Sequence, residues 1–123
     1  MNTLLENISI RPAFVPVDMQ TAANAGDWVS LENYRSVLCV LFKAAGTAGD
    51  DPVVTITQAQ DNSGTGEKAL NFTKISTMTG ADLEAVTAFT ENTQTAANTY
   101  TDATSAEVQA VMAVDIKDTD FGS

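Results

Sequence analysis

The sequence predicts an all-β fold, a single compact β-sandwich or jelly-roll-like domain. Three runs rich in β-branched and apolar residues, at 36–43, 52–58 and 69–76, are separated by loops of small residues, glycine and aspartate. Near the C-terminus, every second residue from Val108 to Ile116 is apolar, which is the period of a half-buried strand. A chain of 123 residues is long enough for one hydrophobic core and is expected to form one domain.

The first 24 residues are predicted to form an extended arm that precedes the β domain at residues 25–123. The segment Arg11–Val17 contains two prolines, which exclude both a continuous helix and a central strand. Its apolar side chains could dock on the protein's own core or lie across a neighbouring molecule. We therefore take Phe14, Val15 and Val17 as candidate contact residues.

Trp28, the only tryptophan, is the fourth candidate contact residue. It follows the turn signal Gly26-Asp27. A large ring that carries a polar N–H suits two kinds of position in a protein, and the sequence does not decide between them. One is a half-buried place in the core or at its rim, and the other is an anchor in an interface.

The run Val37–Phe42 shows no polar alternation. Either both faces of this strand are covered, as in a sheet interior, or its outer face meets a partner. A glycine- and aspartate-containing loop then leads to the run 52–58, so the two runs are predicted to be neighbouring strands with an exposed connection. A second loop, Asp61–Glu67, leads to the run 69–76, whose apolar residues require a bulge or burial on both faces.

Residues 81–90 fit two kinds of structure. Apolar residues at Leu83, Val86 and Phe89 suit a short helix, whereas the threonine content and the surrounding β-rich runs favour a strand. We predict a strand. The threonine-rich stretch 91–105 is predicted to be a loop or a pair of irregular edge strands.

The chain is acidic, with a formal net charge of −10 and a sequence pI near 4.1. Such a chain repels nucleic-acid phosphates and anionic lipid headgroups, so neither nucleic acid nor a membrane is an expected partner. No apolar run approaches the roughly 18 residues of a membrane span, and we expect no secretory leader. Cys39, the only cysteine, lies in an apolar run and is expected to be buried and unreactive, which fits a reducing cytosol.

The sequence lacks the residues and motifs that catalytic sites most often use. There is no histidine, which removes the commonest general base and the His-dependent nucleophile and metal systems. No glycine-rich phosphate-binding motif is present. Paired carboxylates remain available in principle, but solvated surface carboxylates are the simpler interpretation. The candidates for such pairs are Asp27, Glu32, Asp61, Glu67, Asp115 and Asp118. We predict no enzyme activity, no cofactor and no specific metal site.

Calcium binding was weighed separately because the loop that begins at Asp61 matches part of an EF-hand loop. The twelfth position is Phe72, where that motif requires a bidentate glutamate, and strands rather than helices flank the loop. The EF-hand interpretation therefore fails. The acidic groups Asp50-Asp51 and Asp115/Asp118/Asp120 could still gather around a hard cation if the fold brought them together.

Three stretches resemble small structural proteins of tailed bacteriophages, namely Ala25–Leu31, Leu38–Pro52 and Asp61–Phe72. The relevant proteins are head-associated decoration, or cement, proteins of phages with HK97-type capsids. The resemblance covers about residues 25–76, and a weaker similarity extends to the last strand and the closing Asp-x-Asp-Phe-Gly. It consists of the residue types in the loops and the general composition of these stretches, and it includes no catalytic motif.

The resemblance implies a β-rich domain, often trimeric, that binds the outside of a viral shell at three-fold positions and braces it. The expected partner is the major capsid protein, and the expected location is the capsid surface of the virion after synthesis in the host cytoplasm. Two alternatives stay open. One is another virion part, such as a head–tail connector or tail-tube subunit, and the other is a calcium- or carbohydrate-binding adhesion module.

Overall fold

A four-stranded antiparallel sheet, here called sheet A, is the main element of the computed structural model, which describes residues 3–19 and 23–122. The strands in chain order are β1 (Ser36–Lys43), β2 (Val53–Thr55), β3 (Thr57–Gln58), β4 (Lys68–Ala69), β5 (Phe72–Gly80), β6 (Thr90–Ala97), β7 (Thr99–Thr101) and β8 (Gln109–Lys117). Sheet A has the order β1-β8-β5-β6, and two small sheets pair β2 with β7 and β3 with β4. The prediction of an all-β domain is confirmed.

Helical structure is short. The described part of the chain holds one α-helical turn, α1 (Leu4–Asn7), and two 3-10 turns at Leu83–Ala85 and Asp118–Asp120. Between α1 and β1 the described residues form neither helix nor strand. A backbone hydrogen bond from Asp27 N to Ala13 O, 2.8 Å long, ties the arm to the segment just before Trp28.

The alternation predicted the strand β8, which the structure places in the interior of sheet A. Ala110, Met112, Val114 and Ile116 are buried on one face, while the residues between them are half-buried or exposed. The strand pairs antiparallel with β1 on one side and with β5 on the other. Period-two patterning therefore identified both the strand and its inner face.

The hydrophobic core lies between the inner face of sheet A and the small sheets. Its buried members come from β5, from β8 and from the residue that follows β4: Leu70, Phe72, Ile75, Met112, Val114 and Ile116. Half-buried residues of β1, of the small sheets and of the C-terminal turn pack against them: Val37, Cys39, Leu41, Val54, Ile56, Tyr100 and Phe121. The two layers share one core, which fits a single domain.

The run 52–58 is not one continuous strand, because it changes partner at Ile56. The Ile56 N–H donates to Asn98 O at 2.9 Å, and the Ile56 carbonyl accepts from Leu70 N at 3.2 Å. Strand β2 therefore pairs with β7, and β3 pairs with β4. The expectation that 36–43 and 52–58 are neighbouring strands was wrong, since β1 pairs with β8 and the intervening loop connects two different sheets.

For the run 69–76 the sequence left a bulge and burial on both faces as alternatives, and the register between β5 and β6 does shift between Phe72 and Lys74. The strand predicted over 81–90 is wrong except at its last residue, Thr90, which begins β6. That segment contains a single 3-10 turn at Leu83–Ala85, whose cap is the Asp82 carboxylate accepting from Glu84 N at 3.0 Å. The stretch 91–105 contains most of β6 and all of β7, so of the two alternatives, a loop or a pair of edge strands, strands are present.

Candidate interaction surface

One face of β1 is apolar and uncovered. Its inward residues pack against the core, whereas Leu38 and Val40 are each 59 % exposed and Phe42 is 70 % exposed. We call Leu38, Val40 and Phe42 the apolar stripe. The alternative in which both faces of the run Val37–Phe42 are covered is therefore wrong for the described part of the chain, where the outer face is exposed.

The residues beside the stripe extend it at one end. The register places Phe42 opposite Val111 of β8, and Val111 in turn opposite Met78 of β5. In the next row, Val40 lies opposite Ala113. Val111, Ala113 and Met78 are half-buried, so the sheet is most apolar at the Phe42 corner.

The other end of the same face is polar. Leu38 lies opposite the exposed Asp115, and a shallow groove of about 500 Å³ begins there. Charged side chains of both signs line this groove: Lys74, Glu91, Asp115, Lys117 and Asp120. Lys74 Nζ and Glu91 Oε1 form an exposed ion pair at 3.8 Å. Outward-facing charges of this kind remain hydrated and neutralise one another, so the groove offers little driving force for binding.

The outer edge of β1 has no backbone partner within the described ranges 3–19 and 23–122. Ladder pairing of residues 36–43 is to β8 alone, and no backbone hydrogen bond from a loop reaches this strand. An edge strand of eight regularly paired residues presents unpaired N–H and C=O groups that another strand can use. Beside the apolar stripe, β1 therefore also offers a backbone template.

The arm residues chosen from the sequence are all on the surface. Phe14, Val15 and Val17 are 37 %, 67 % and 44 % exposed. The Phe14 ring approaches Gly26, where a Cβ atom would lie 3.5 Å from its Cδ1. The structure thus places all three where a partner can reach them, without showing which partner that is.

Trp28 is half-buried and packs on the loop that begins at Asp61. A Cβ atom at Gly64 would lie only 3.0 Å from Trp28 Nε1 and 3.1 Å from its Cζ2, so the indole covers this glycine closely. Gly64 also has a φ of +83°, a conformation that glycine adopts without strain. The ring therefore has a local structural role, whether or not it also contacts a partner.

The stripe itself was absent from the residues chosen from the sequence. The signal that could have found it was the unbroken apolar run Val37–Phe42, which left two alternatives open. Deciding between them requires knowing that β1 ends the sheet, and this depends on its pairing with a strand some seventy residues away.

A buried polar cluster anchors the end of β1. Lys43 Nζ donates to Ser105 O at 2.7 Å and to Val108 O at 2.6 Å. Burial lowers the pKa of the Lys43 ammonium, and the negative charge of Asp102 opposes that change. The ammonium thus holds the turn before β8, and this leaves it less available for a ligand.

Asp102 lies beside this cluster and is itself buried. Its Oδ1 accepts from Thr104 N at 2.9 Å and from Thr104 Oγ1 at 2.7 Å. Burial by itself raises the pKa of Asp102, but the bonds from Thr104, the nearby Ser105 hydroxyl and the Lys43 charge outweigh it and lower the pKa. The carboxylate is therefore ionised and occupied by its own loop.

The Asp61 carboxylate, considered for calcium, is also engaged by its own loop. Asp61 Oδ1 accepts from Ser63 N at 2.9 Å and from Thr65 N at 3.1 Å. Hydrogen bonds from the Thr65 side chain and backbone, and from the Ser63 backbone, lower the pKa of this carboxyl. Within the described residues, no group of three or more His, Cys, Asp or Glu side chains is placed to hold a metal ion.

Burial raises the pKa of the Cys39 thiol, which keeps this cysteine protonated near neutral pH on the inner face of β1.

No helix in the described ranges has the length and apolar character needed to cross a membrane. Comparisons with protein-family models, with curated proteins and with solved structures found no match to this chain. The exposed apolar surfaces of the arm and of β1 are therefore the features of this molecule that bear on its function.

Proposed function

We propose that this protein is a capsid decoration, or cement, protein that binds the outside of a viral shell and stabilises it by surface complementarity. The observation that carries the proposal is an all-β domain whose arm leaves the apolar side chains of Phe14, Val15 and Val17 exposed. Contiguous exposed apolar surface marks interaction sites in soluble proteins. The resemblance of residues 25–76 to phage head proteins supplies the kind of partner, which is the major capsid protein.

The polar chemistry of the molecule supports a role in binding. Its buried carboxylate Asp102 is bonded to its own loop, and its cation Lys43 is bonded to the turn before β8. Asp61, the loop carboxylate with a lowered pKa, is bonded in the same way. Groups held like this give rigidity to loops and do not readily move protons or take up substrates. The net charge of −10 suits a partner surface with basic groups.

Counting this chain in purified particles of the virus that encodes it, relative to the major coat protein, tests the proposal. We expect a ratio near one. About a dozen copies, the size of a single ring, would identify a connector instead. Complete absence from particles would overturn the virion assignment.

Mixing the purified protein with expanded shells that lack it assigns the contact residues. Deletion of Arg11–Val17, or Trp28→Ala, is expected to weaken shell binding. The matched control for Trp28→Ala is Tyr34→Ala, which removes another exposed aromatic ring near β1. If arm deletion unfolds the isolated domain, the arm belongs to the core and the assignment of its apolar residues to an interface is wrong.

A further inference from the structure

Strand β1 combines three properties that seldom occur together on a free edge. It is eight residues long, its register with β8 is regular throughout, and beyond Ser36 its outer side chains are the apolar Leu38, Val40 and Phe42. Natural proteins normally protect such an edge with charges, proline, a bulge or a covering segment. The outer residues of β1 include none of these protections, and the described residues provide no cover.

We propose that the β1 edge binds the β1 edge of a second copy of this chain, antiparallel across a two-fold axis. The two four-stranded sheets then form one eight-stranded sheet, with the two apolar stripes side by side at its centre. This inference does not rest on a role in a capsid, since it concerns the contact between two copies of the protein.

The register follows from the side-chain pattern. Paired residues share a face of the sheet, so the stripe of one copy must lie opposite the stripe of the other. An axis at Val40 pairs Leu38 with Phe42 of the second copy and Val40 with its own counterpart, so all six stripe residues are paired. An axis at Cys39 would instead place Phe42 opposite Ser36 and leave its ring without an apolar partner.

Charge favours the same contact. The chain carries 16 acidic residues and a net charge of −10, so two copies repel each other over most of their surfaces. Strand β1 contains no acidic residue. The two copies therefore approach with least repulsion at this edge.

The competing occupants of the edge fit less well. The arm is apolar, but Pro12 and Pro16 lack the N–H groups that a ladder with β1 requires. The other edge of sheet A, β6, carries the sequence Thr-Glu-Asn-Thr-Gln-Thr-Ala-Ala, so pairing with it would set the stripe against polar side chains. A head-to-tail ring of the kind needed for a trimer would use that contact, whereas two β1 edges close at two copies.

The exposed area of the apolar stripe predicts a contact of moderate strength between the two copies. If a whole phenylalanine side chain buries roughly 200 Å², the stripe exposes on the order of 300 Å². A standard interface buries about 800 Å² on each partner, so the backbone ladder and the flanking residues must contribute the remainder. We therefore expect a dissociation constant in the range of about 1–100 µM.

Sedimentation velocity of the full chain between about 1 and 200 µM, a range that spans this constant, measures the association. We expect a species of twice the 12.9 kDa chain mass. Val40→Lys should raise the dissociation constant at least about tenfold, because it places a charge at the axis. Thr93→Lys is the matched control, since it adds the same charge to the outer face of β6, and it should leave association unchanged.

A second variant tests the register without disrupting the contact. Cα atoms of an antiparallel pair lie about 4.5–5.5 Å apart, within disulfide range, so Val40→Cys should cross-link two copies under mild oxidation. Wild-type protein, whose Cys39 faces the core, and Thr93→Cys should remain uncrosslinked. A monomer at all concentrations, a trimer, or equal effects of Val40→Lys and Thr93→Lys would each overturn the proposal. A monomer that still binds shells would leave the proposed function intact.

Discussion

The two edge strands of sheet A have equal lengths and opposite characters. Both β1 and β6 contain eight residues. On β6 the side chains are polar, a register shift interrupts the pairing with β5, and the Asn92 and Gln94 amides bond back to the sheet. On β1 the pairing is regular and the outer side chains are apolar. One edge is suited to water, and the other is suited to a partner.

This difference shows that exposure alone does not define an interaction site. Thr93 on β6 and Val40 on β1 are both exposed residues on the outer face of an edge strand. Water forms hydrogen bonds with the threonine hydroxyl, whereas hydration of the valine methyl groups is unfavourable. The informative residue is the one whose exposure costs free energy unless a partner covers it.

Substitutions of two leucines of β1 should differ most in their effect on the free energy of unfolding. Leu41 packs against the core, and Leu38 belongs to the uncovered stripe. We expect Leu41→Ala to lower the free energy of unfolding by about 2–3 kcal/mol because it leaves a cavity. Leu38→Ala should change it by less than about 0.5 kcal/mol. Urea titration at concentrations where the protein is monomeric measures both, and similar losses would mean that the outer face is covered within the monomer.

The cluster that anchors β1 should respond to removal of the buried charge. Asp102→Asn weakens the bonds from Thr104 and removes the charge near Lys43, so we expect a loss of about 1–2 kcal/mol at pH 7. Urea titration of the two proteins measures this loss. An unchanged stability would show that the Lys43 bonds alone hold the turn before β8.

The same substitution should change the dependence of stability on pH. The pKa of Asp102 is lowered in the folded protein, so its stabilisation is present above the unfolded value of about 3.9 and is lost as the pH falls through the lowered folded pKa. The Asp102→Asn variant should therefore lose less stability than the wild type when the pH is lowered below about 4. Parallel pH profiles for the two proteins would contradict this assignment.

A smaller effect is expected where β6 is bonded to β5. Asn92 Nδ2 donates to Thr77 Oγ1 at 2.9 Å, and Thr77 is buried. Asn92→Ala should cost about 1 kcal/mol, because the Thr77 hydroxyl loses this donor. Thr93→Ala, at the next and exposed position of β6, is the control and should have little effect. Equal stability of both variants would show that the amides of β6 do not protect this edge.

The smallest expected effect concerns the ion pair on the polar half of the outer face. Lys74 and Glu91 are exposed and 3.8 Å apart, so Lys74→Ala should change stability by less than about 0.5 kcal/mol. A thermal melt at low and at high salt measures this difference. A loss above about 1 kcal/mol would mean that the groove is more rigid and less hydrated than an exposed ion pair allows.

Local patterns in the sequence were sufficient to locate two strands of sheet A. Strand β8 was predicted from its period-two alternation, and β1 from an unbroken run of β-branched and apolar residues that ends at a loop of small residues. In the run 69–76 the sequence left a bulge and burial on both faces as alternatives, and the register shift near Phe72 became visible only in the pairing of β5 with β6. The strand predicted over 81–90 was wrong up to residue 89, because the threonine content outweighed the Asp82 cap that starts the 3-10 turn.

The sequence by itself determined the all-β class, the acidic charge, the strand β8 and the lack of histidine chemistry, because composition and short-range periodicity are carried by neighbouring residues. Only the tertiary structure decided that β1 ends the sheet and that Leu38, Val40 and Phe42 lack cover. An apolar residue looks the same in sequence whether it is buried or exposed. Which of the two it is depends on pairings between distant segments, here β1 with β8.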